Sequence, residues 1–219
     1  MENYQEDEIY FKIRMVSDKL KINPKIKAVD SKKLQLKEIP AAIHENVECL
    51  DISDNLIKNV VTDKFKNILI LDLGYNLLQN HDDIKNKSLK ELYLMANDIS
   101  SISESIAFHT RLEKFDIAAN RITDIKNLSL ISKNIKEIYL GANKITDFNI
   151  DLSEYENLHT LDLQYNKLKT IDFNLLPINL KQLLINNNKD LVEIKNRENL
   201  KSLELFDSSN TKLEHPEKF

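Results

Sequence analysis

The sequence predicts an α/β solenoid, in which stacked units form one concave parallel β-sheet of about nine strands and short helical or irregular segments form the convex side. Three observations predict this fold class. A pattern of apolar residues recurs along nearly all of the 219-residue chain. Within each copy, apolar and polar residues alternate as they do in a short strand. With 42% hydrophobic and 30% charged residues, the composition is typical of a globular protein.

The repeat is clearest from Leu158 to Ile171, which reads L-x-x-L-x-L-x-x-N-x-L-x-x-I. Copies of this pattern begin at positions 26, 47, 68, 89, 112, 135, 158, 180 and 200. The first copy has Leu34 at the Asn position and the last has Ser208 there, so both end copies are degenerate. Units of this kind share one apolar core only when they stack side by side.

These nine copies resemble the leucine-rich repeat family over residues 26–215. The resemblance implies a curved right-handed horseshoe. Units with Ile or Phe three residues after the N-x-L position are most similar to the short class typified by the nuclear regulatory subunit of protein phosphatase 1. Ile39 and Pro40 in the first unit depart from that class and look like another short one.

Each unit should contribute one strand, whose apolar residues face the core and whose flanking residues face the concave surface. The recurring Asn follows the strand, where the chain turns away from the sheet. Its amide can donate to and accept from backbone groups that the turn would otherwise leave unpaired. We therefore assign a structural role to the Asn column, which comprises Asn55, Asn76, Asn97, Asn120, Asn143, Asn166 and Asn188.

The chain divides into an N-terminal cap at residues 1–25 and a repeat domain at residues 26–219, whose last unit is degenerate. The sequence leaves two structures open for the cap. The alternation of Ile9, Phe11 and Ile13 favours a β-hairpin, whereas the spacing from Ile9 to Ile13 also fits a helix. An open solenoid end would expose the core, so a cap of either kind is expected.

Composition and spacing exclude several classes of protein. No apolar run is long enough to cross a bilayer. With only two glycines, Gly74 and Gly141, the chain cannot form a glycine-rich phosphate loop. The five histidines and the single Cys49 have no metal-ligand spacing, and no nucleophile elbow or kinase signature occurs. We therefore expect no enzyme, no metal and no cofactor.

The concave face contains the candidate site. Its central column, between the two apolar strand positions, has six acidic residues and no basic one. Carboxylates stacked about 4.8 Å apart repel one another and favour a cationic partner. Asp is also a common residue at this position of the family's strand, which explains the column without any partner. Four of the seven tyrosines fall on the same face, and Tyr is a preferred interface anchor. The candidate partner-binding residues are Asp51, Asp72, Tyr75, Tyr93, Met95, Asp116, Tyr139, Asp162, Tyr165, Leu184, Glu204 and Phe206.

From the resemblance and this surface we expect a non-enzymatic module that binds a protein partner with a basic surface, as a regulatory subunit or adaptor. Two alternatives stay open, namely a structural scaffold in a larger assembly such as a ribonucleoprotein, and a secreted or surface recognition protein. The net charge of −4 predicts no nucleic-acid partner. We expect no membrane and no small-molecule substrate. The lone Cys49 and the acidic start of the chain favour an intracellular location.

Overall fold

The computed structural model of the protein describes residues 10–12 and 25–214. It contains a ten-stranded parallel sheet and a second sheet of two strands. The large sheet consists of β1 (Tyr10–Lys12), β2 (Ala28–Asp30), β3 (Cys49–Asp51), β4 (Ile70–Asp72), β5 (Glu91–Tyr93), β6 (Lys114–Asp116), β7 (Glu137–Tyr139), β8 (Thr160–Asp162), β10 (Gln182–Leu184) and β12 (Leu205–Asp207). The small sheet pairs β9 (Thr170–Asp172) with β11 (Glu193–Lys195).

The large sheet confirms the predicted solenoid. Its strands follow one another in chain order, and successive units contribute parallel neighbours. Pairing joins residues at the same position of successive units, so that Leu71 lies between Leu50 and Leu92. Side chains at one repeat position therefore form columns along the solenoid, about 4.8 Å apart.

The core lies between this sheet and the return segments of the units. The middle residues of β2 to β8 and of β10 are buried, and Leu71, Leu92 and Phe115 are fully so. Phe65 and Phe173 fill the core from the return side and are equally buried. Each such side chain contributes about 1.5–3 kcal/mol when it leaves water, so the continuous column holds the units together.

The convex side has short helical turns and irregular segments, as predicted. Because each unit has few residues outside its strand and turn, the described residues form 3-10 helices and no α-helix. The 3-10 helices are Glu104–Phe108, Lys126–Leu130, Phe173–Leu175 and Arg197–Asn199. None of these described helices has the length and apolar character needed to cross a membrane.

The Asn side chains tie each unit to the one before it. Asn120 is typical, because its Oδ1 accepts a hydrogen bond from Ile99 N at 3.0 Å in the preceding unit. Its Nδ2 donates to Leu94 O of the preceding unit at 2.9 Å and to Ile117 O of its own unit at 3.1 Å. Removing the amide would leave buried backbone groups without partners, at about 1–3 kcal/mol.

The residue at the position before each Asn adopts the left-handed conformation, although none of these residues is glycine. Their φ angles lie between 53° and 60°. A left-handed residue with a side chain costs roughly 1–2 kcal/mol, which the surrounding hydrogen bonds must offset. The column consists of Lys33, Asp54, Tyr75, Ala96, Ala119, Ala142, Tyr165, Asn187 and Asn210.

The predicted register of the last unit is wrong by three residues. The sequence pattern places Leu203 and Leu205 at the apolar strand positions, whereas Phe206 pairs with Leu183 and takes the core-facing position. The Phe206 ring packs edge-on against Phe173, with 6.4 Å between the ring centroids, while Leu205 is 47% exposed. The larger apolar side chain therefore occupies the core-facing position, and Phe206 is a packing residue instead of a concave-face residue.

In the observed register β12 follows β10 at an interval of 23 residues, from Gln182 to Leu205, which equals the intervals between β6, β7 and β8, and β11 and the helix Arg197–Asn199 precede the strand. Glu204 consequently lies before the strand and outside the central column, and its carboxylate is 3.0 Å from Lys181 Nζ. The Asn position is taken by Thr211 and not by Ser208. The Thr211 hydroxyl donates a hydrogen bond to the Ser208 carbonyl at 2.8 Å.

At the N-terminal edge, β1 extends the sheet by pairing in parallel with β2. The rest of the predicted cap, whether hairpin or helix, lies outside the described residues.

Candidate protein-binding surface

Two columns of side chains form the concave surface, one on each side of the core-facing strand residues. The first column consists of Ala28, Cys49, Ile70, Glu91, Lys114, Glu137, Thr160, Gln182 and Leu205. The central column consists of Asp30, Asp51, Asp72, Tyr93, Asp116, Tyr139, Asp162, Leu184 and Asp207. Asp207 thus has the place that the sequence pattern assigns to Glu204.

The aspartates of the central column shape the turns that follow their strands. Asp72 Oδ1 accepts a hydrogen bond from Gly74 N at 2.9 Å, and Asp116 Oδ1 accepts one from Ala118 N at 3.0 Å. The equivalent bond to the amide two residues later is made by Asp30, Asp51, Asp162 and Asp207. An Asp side chain that bonds in this way initiates a turn. The recurrence of Asp therefore has a structural cause, independent of any partner.

The aspartates differ in how far they reach the surface. Asp162 is only 5% exposed because its carboxylate lies over Gly141, where a Cβ would be 3.0 Å from Asp162 Oδ2. Gln164 also covers it, donating from Nε2 to the same oxygen at 3.0 Å. Asp30 is equally buried, at 3% exposure. The acidic part of the surface that a partner could reach is therefore formed by Asp51, Asp72, Asp116 and Asp207.

Burial changes the charge of this column. Desolvation, together with the neighbouring Asp51 and Asp116 carboxylates, raises the pKa of Asp72 to about 6 against the lowering effects of the Gly74 amide and Lys32. Desolvation likewise raises the pKa of Asp116, and that of Asp162. The charge of Asp72 therefore varies with pH in a range where an exposed carboxylate would be fully ionised.

Lys114 from the first column lies between the two tyrosines of the central column. Its Nζ is 5.6 Å from the centroid of the Tyr93 ring and 5.1 Å from that of Tyr139. The same ammonium group is 2.9 Å from Glu137. Lys114 is absent from the candidates that the sequence predicts, because the rings it contacts belong to the units on either side and are not its neighbours in the sequence.

Two carboxylates orient the tyrosine rings. Tyr93 donates its hydroxyl hydrogen to Glu91 at 2.6 Å, and Tyr139 donates to Glu137 at 2.9 Å. Partial burial and these bonds raise the pKa of Tyr139 to about 12 and also raise that of Tyr93. Both tyrosines stay protonated and half-buried, so the concave face presents two rings in fixed orientations. We refer to Glu91, Tyr93, Lys114, Glu137 and Tyr139 as the tyrosine cluster.

Tyr75 and Tyr165 lie at the side of the sheet, not in the central column. Both occupy left-handed turn positions and are 57% exposed. The three units between them have alanines at the equivalent position, Ala96, Ala119 and Ala142. The structure therefore separates the four tyrosines into an ordered central pair and an exposed lateral pair.

The remaining apolar candidates have different environments. Met95 is half-buried against Gly74, where a Cβ would be 3.1 Å from Met95 Cγ. Leu184 is half-buried in the central column. Leu205, which sequence reasoning assigned to the core, is an exposed concave-face residue next to Gln182.

A row of ion pairs runs along the side of the sheet, at the position before each strand. The pairs are Lys27–Glu48 at 2.9 Å, Lys90–Glu113 at 3.4 Å, Lys136–Glu113 at 2.6 Å and Lys181–Glu204 at 3.0 Å. Exposed pairs of this kind contribute about 0–1 kcal/mol each. Because both signs alternate, this row adds little to the negative potential of the concave face.

Two histidines are buried on the return side. His81 Nε2 accepts a hydrogen bond from Ser103 N at 2.9 Å, and His109 Nδ1 is 2.9 Å from the Asn86 carbonyl oxygen. Burial lowers the pKa of His81 to about 4 and also lowers that of His109. Across residues 10–12 and 25–214, no group of three or more His, Cys, Asp or Glu side chains is placed to hold a metal ion.

The fold and this surface define a leucine-rich repeat solenoid, and the solved structures similar to it are leucine-rich repeat proteins. The functional domain of InlJ from Listeria monocytogenes matches with a TM-score of 0.72 and 20% sequence identity over 86% of this chain. The match covers 40% of the InlJ structure. No family model matches the sequence, and no curated protein sequence does.

Two further similar structures contain bound ligands. The plant peptide hormone receptor RGFR1 in complex with RGF2 matches 77% of this chain and 31% of its own, with a TM-score of 0.57 and 22% identity. The TLR13–ssRNA13 complex matches 78% of this chain and 32% of its own, with a TM-score of 0.60 and 21% identity. This chain spans less than half of each of these three proteins. The likenesses do not support the narrower resemblance to the protein phosphatase 1 regulatory subunit.

Proposed function

We propose that this protein binds a protein partner on its concave face, without catalysing a reaction. The tyrosine cluster is the observation that carries the proposal. Its two rings are half-exposed and are oriented by Lys114, Glu91 and Glu137. Side chains ordered before binding lose little entropy on binding, which favours affinity. The peptide-bound receptor RGFR1 supports a role of this kind by its fold.

The partner we propose has a basic surface. Asp51, Asp72 and Asp116 line the concave face beside the tyrosine cluster, and Lys114, which pairs with Glu137, offsets part of the charge of Asp116 alone among them. Phosphate backbones would meet these carboxylates unfavourably, so a protein partner is favoured over a nucleic acid on charge alone. This preference belongs to this chain's own residues, since the similar TLR13 structure contains RNA.

We propose that this protein acts as a regulatory subunit or adaptor. A surface of about 600 Å², from nine strands spaced about 4.8 Å apart and four to five residues wide, approaches the roughly 800 Å² per partner of a standard interface. We also propose an intracellular location, because the partly exposed Cys49 is a free thiol.

A pair of variants tests the proposed face. Tyr93→Ala combined with Tyr139→Ala should weaken capture of a partner by about 2 kcal/mol or more, which is roughly thirtyfold. Phe108→Ala is the matched control, because Phe108 is an exposed aromatic residue on the convex side. The measurement is the affinity of each purified variant for the partner that the wild type captures from source-cell lysate. Equal loss in the concave variant and in the control would place the interface elsewhere.

Salt dependence tests the charge of the partner. Association with a basic partner should slow as salt rises, because the Debye length falls from about 10 Å at 0.1 M to about 3 Å at 1 M. Replacing Asp72 and Asp116 with Asn should remove most of that dependence and retain the turn-forming oxygen. An unchanged salt profile would mean that these aspartates serve the turns alone.

A further inference from the structure

The concave face contains a groove that the tyrosine cluster does not fill. It has a volume of about 290 Å³ and crosses β2 to β5. Ala28, Cys49 and Ile70 line one side of it, and Asp51 and Asp72 line the other. The groove ends at β5, where Glu91 and Tyr93 stand.

Side-chain size creates this groove. The first column of the sheet has small residues in the first two units, Ala28 and Cys49, where the central units have Glu91, Lys114 and Glu137. The core-facing residues Val29 and Leu50 form the floor of the groove. One wall is therefore apolar and the facing wall is acidic.

The two aspartates differ in how many partners they already have. Asp51 accepts hydrogen bonds from Ser53 N and Ser53 Oγ on Oδ1, and its Oδ2 is 3.2 Å from Lys32 Nζ. Asp72 Oδ1 accepts a hydrogen bond from Gly74 N. The Oδ2 atom of Asp72 accepts no hydrogen bond from any residue that the structure describes. Asp72 is thus a half-buried carboxylate with one free oxygen in a groove.

We propose that this groove receives one long cationic side chain, Arg or Lys, from the protein partner. Its aliphatic part lies along Cys49 and Ile70, and its charged end reaches the free oxygen of Asp72. This inference rests on the protein-binding role proposed above and names the chemistry that the partner presents at one position.

Charge complementarity selects this occupant over an apolar one. An apolar side chain would remove water from Asp72 and leave a carboxylate buried without compensation, which is costly. A cationic head offsets the repulsion between Asp72 and its acidic neighbours, Asp51 and Asp116. Long cationic side chains also have an apolar stem and a charged end, which match the two walls of the groove.

The aromatic end of the groove suits the same occupant. Lys114 already lies over the Tyr93 ring at 5.6 Å, which shows that this ring accepts a cation within the usual distance. Because the pKa of Asp72 is raised to about 6, mainly by desolvation, the binding of a cation in the groove should depend on pH. The charged and titratable groups that act on or face Asp72 are Asp51, Asp116, Lys32 and Tyr93, so a cation should enter more readily as the pH rises from 5 to 7.

Cys49 provides a direct probe, because it is the only cysteine of the chain and lines the groove. Cationic and anionic methanethiosulfonate reagents of similar size are compared on the whole protein. We expect the cationic reagent to modify Cys49 at least about tenfold faster, since an acidic cleft concentrates cations to that extent. The ratio of the two rates is independent of the thiolate fraction, which burial of Cys49 reduces by raising its pKa.

Two matched variants assign this preference to Asp72. Asp72→Asn should reduce the rate ratio at least threefold, whereas Asp83→Asn, an exposed aspartate on the return side, should leave it unchanged. In the wild type the ratio should rise between pH 5 and pH 7. A ratio near one, or an equal ratio in both variants, would overturn the proposal.

A second measurement does not depend on thiol reactivity. N-acetyl-arginine methylamide is titrated into ¹⁵N-labelled protein, with N-acetyl-norleucine methylamide as the uncharged control. Shifts at the Cys49 and Asp72 amides with the arginine compound alone would support the proposal, and equal shifts with both compounds would overturn it. Neither measurement uses the partner. If the protein binds the arginine compound but captures no partner on its concave face, the proposed function is refuted and the groove proposal is not.

Discussion

Lys114 Nζ lies over the ring of Tyr139, 5.1 Å from its centroid. Because the same ammonium group lies over Tyr93 and pairs with Glu137, one cation orders two aromatic rings on the two units that flank its own. The centre of the concave face is therefore rigid before any partner arrives. This arrangement and the repeated turns lead to five predictions.

Lys114→Met should destabilise the protein by about 1–2 kcal/mol, because it removes a partly buried ion pair and contacts with two aromatic faces. Lys126→Met is the control, since Lys126 is exposed and its nitrogen lies 3.6 Å from Asp124. Urea titrations measure both free energies of unfolding. An equal loss in the two variants would mean that Lys114 contributes no more than a surface ion pair.

Asn120→Ala and Asn143→Ala should each destabilise by about 1–3 kcal/mol, because backbone groups in two successive units lose their hydrogen-bond partner. Asn149→Ala should change stability little, since Asn149 is exposed and outside the Asn column. The comparison uses chemical denaturation of the three variants. A silent Asn120→Ala would contradict the role of the amide in joining the units.

Ala119→Gly should stabilise the protein by roughly 0.5–1 kcal/mol, which is unusual for a glycine substitution. Ala119 has a φ of 53°, where glycine avoids the steric cost of a side chain and only part of that gain is lost to the more flexible unfolded chain. The neighbouring Ala118→Gly should destabilise, because φ is not positive there. Opposite signs of the two changes in melting temperature constitute the test.

Asp72→Asn should stabilise the protein above pH 7 by about 1–2 kcal/mol, less than the full shift implies because the group is partly solvated. The pKa of Asp72 is raised in the folded state, from 3.8 to about 6. The stability that the Asp72 carboxyl group contributes to the folded state is therefore fully present below pH 3.8 and is lost as the pH rises through 6. The advantage of the variant over the wild type should vanish below pH 4. Asp83→Asn should show no such pH dependence.

His81 should cause part of any acid destabilisation. Its pKa falls from 6.5 to about 4 on folding, mainly because it is buried. Its contribution to stability is therefore present above pH 6.5 and is lost as the pH falls towards 4, amounting to about 3 kcal/mol. In His81→Gln the unfolding free energy should be flatter between pH 6.5 and 4, opposite in sign to the effect of Asp72. An unchanged slope would contradict the burial of a neutral imidazole, and His44→Gln provides the control.

Much of the fold was predictable from the sequence because it depends on short-range pattern. The alternation around Leu161 and Leu163 determines which strand residues face the core, and a nearly constant interval between copies places strands side by side. The solenoid, its parallel sheet and the residues of the central column up to Leu184 followed from this pattern alone. These three features depend on the position of a residue within its own unit, and that position can be read from the sequence.

The site depended on contacts between units, which no single unit specifies. Lys114 orders Tyr93 and Tyr139 only because stacking brings three units together, and Asp162 is buried because Gly141 in the neighbouring unit lacks a side chain. The last unit, with degenerate spacing, was assigned the wrong register, since packing of Phe206 on Phe173 outweighed the leucine pattern.

The sequence therefore determined the solenoid and its columns, because the same apolar pattern packs in the same way in every unit. Tertiary structure decided which carboxylates reach the surface, where a cation is held and where a groove opens beside Cys49. The physical reason is that exposure and charge at one position depend on the size and charge of side chains one unit away, about 4.8 Å distant in space and more than twenty residues distant in the chain.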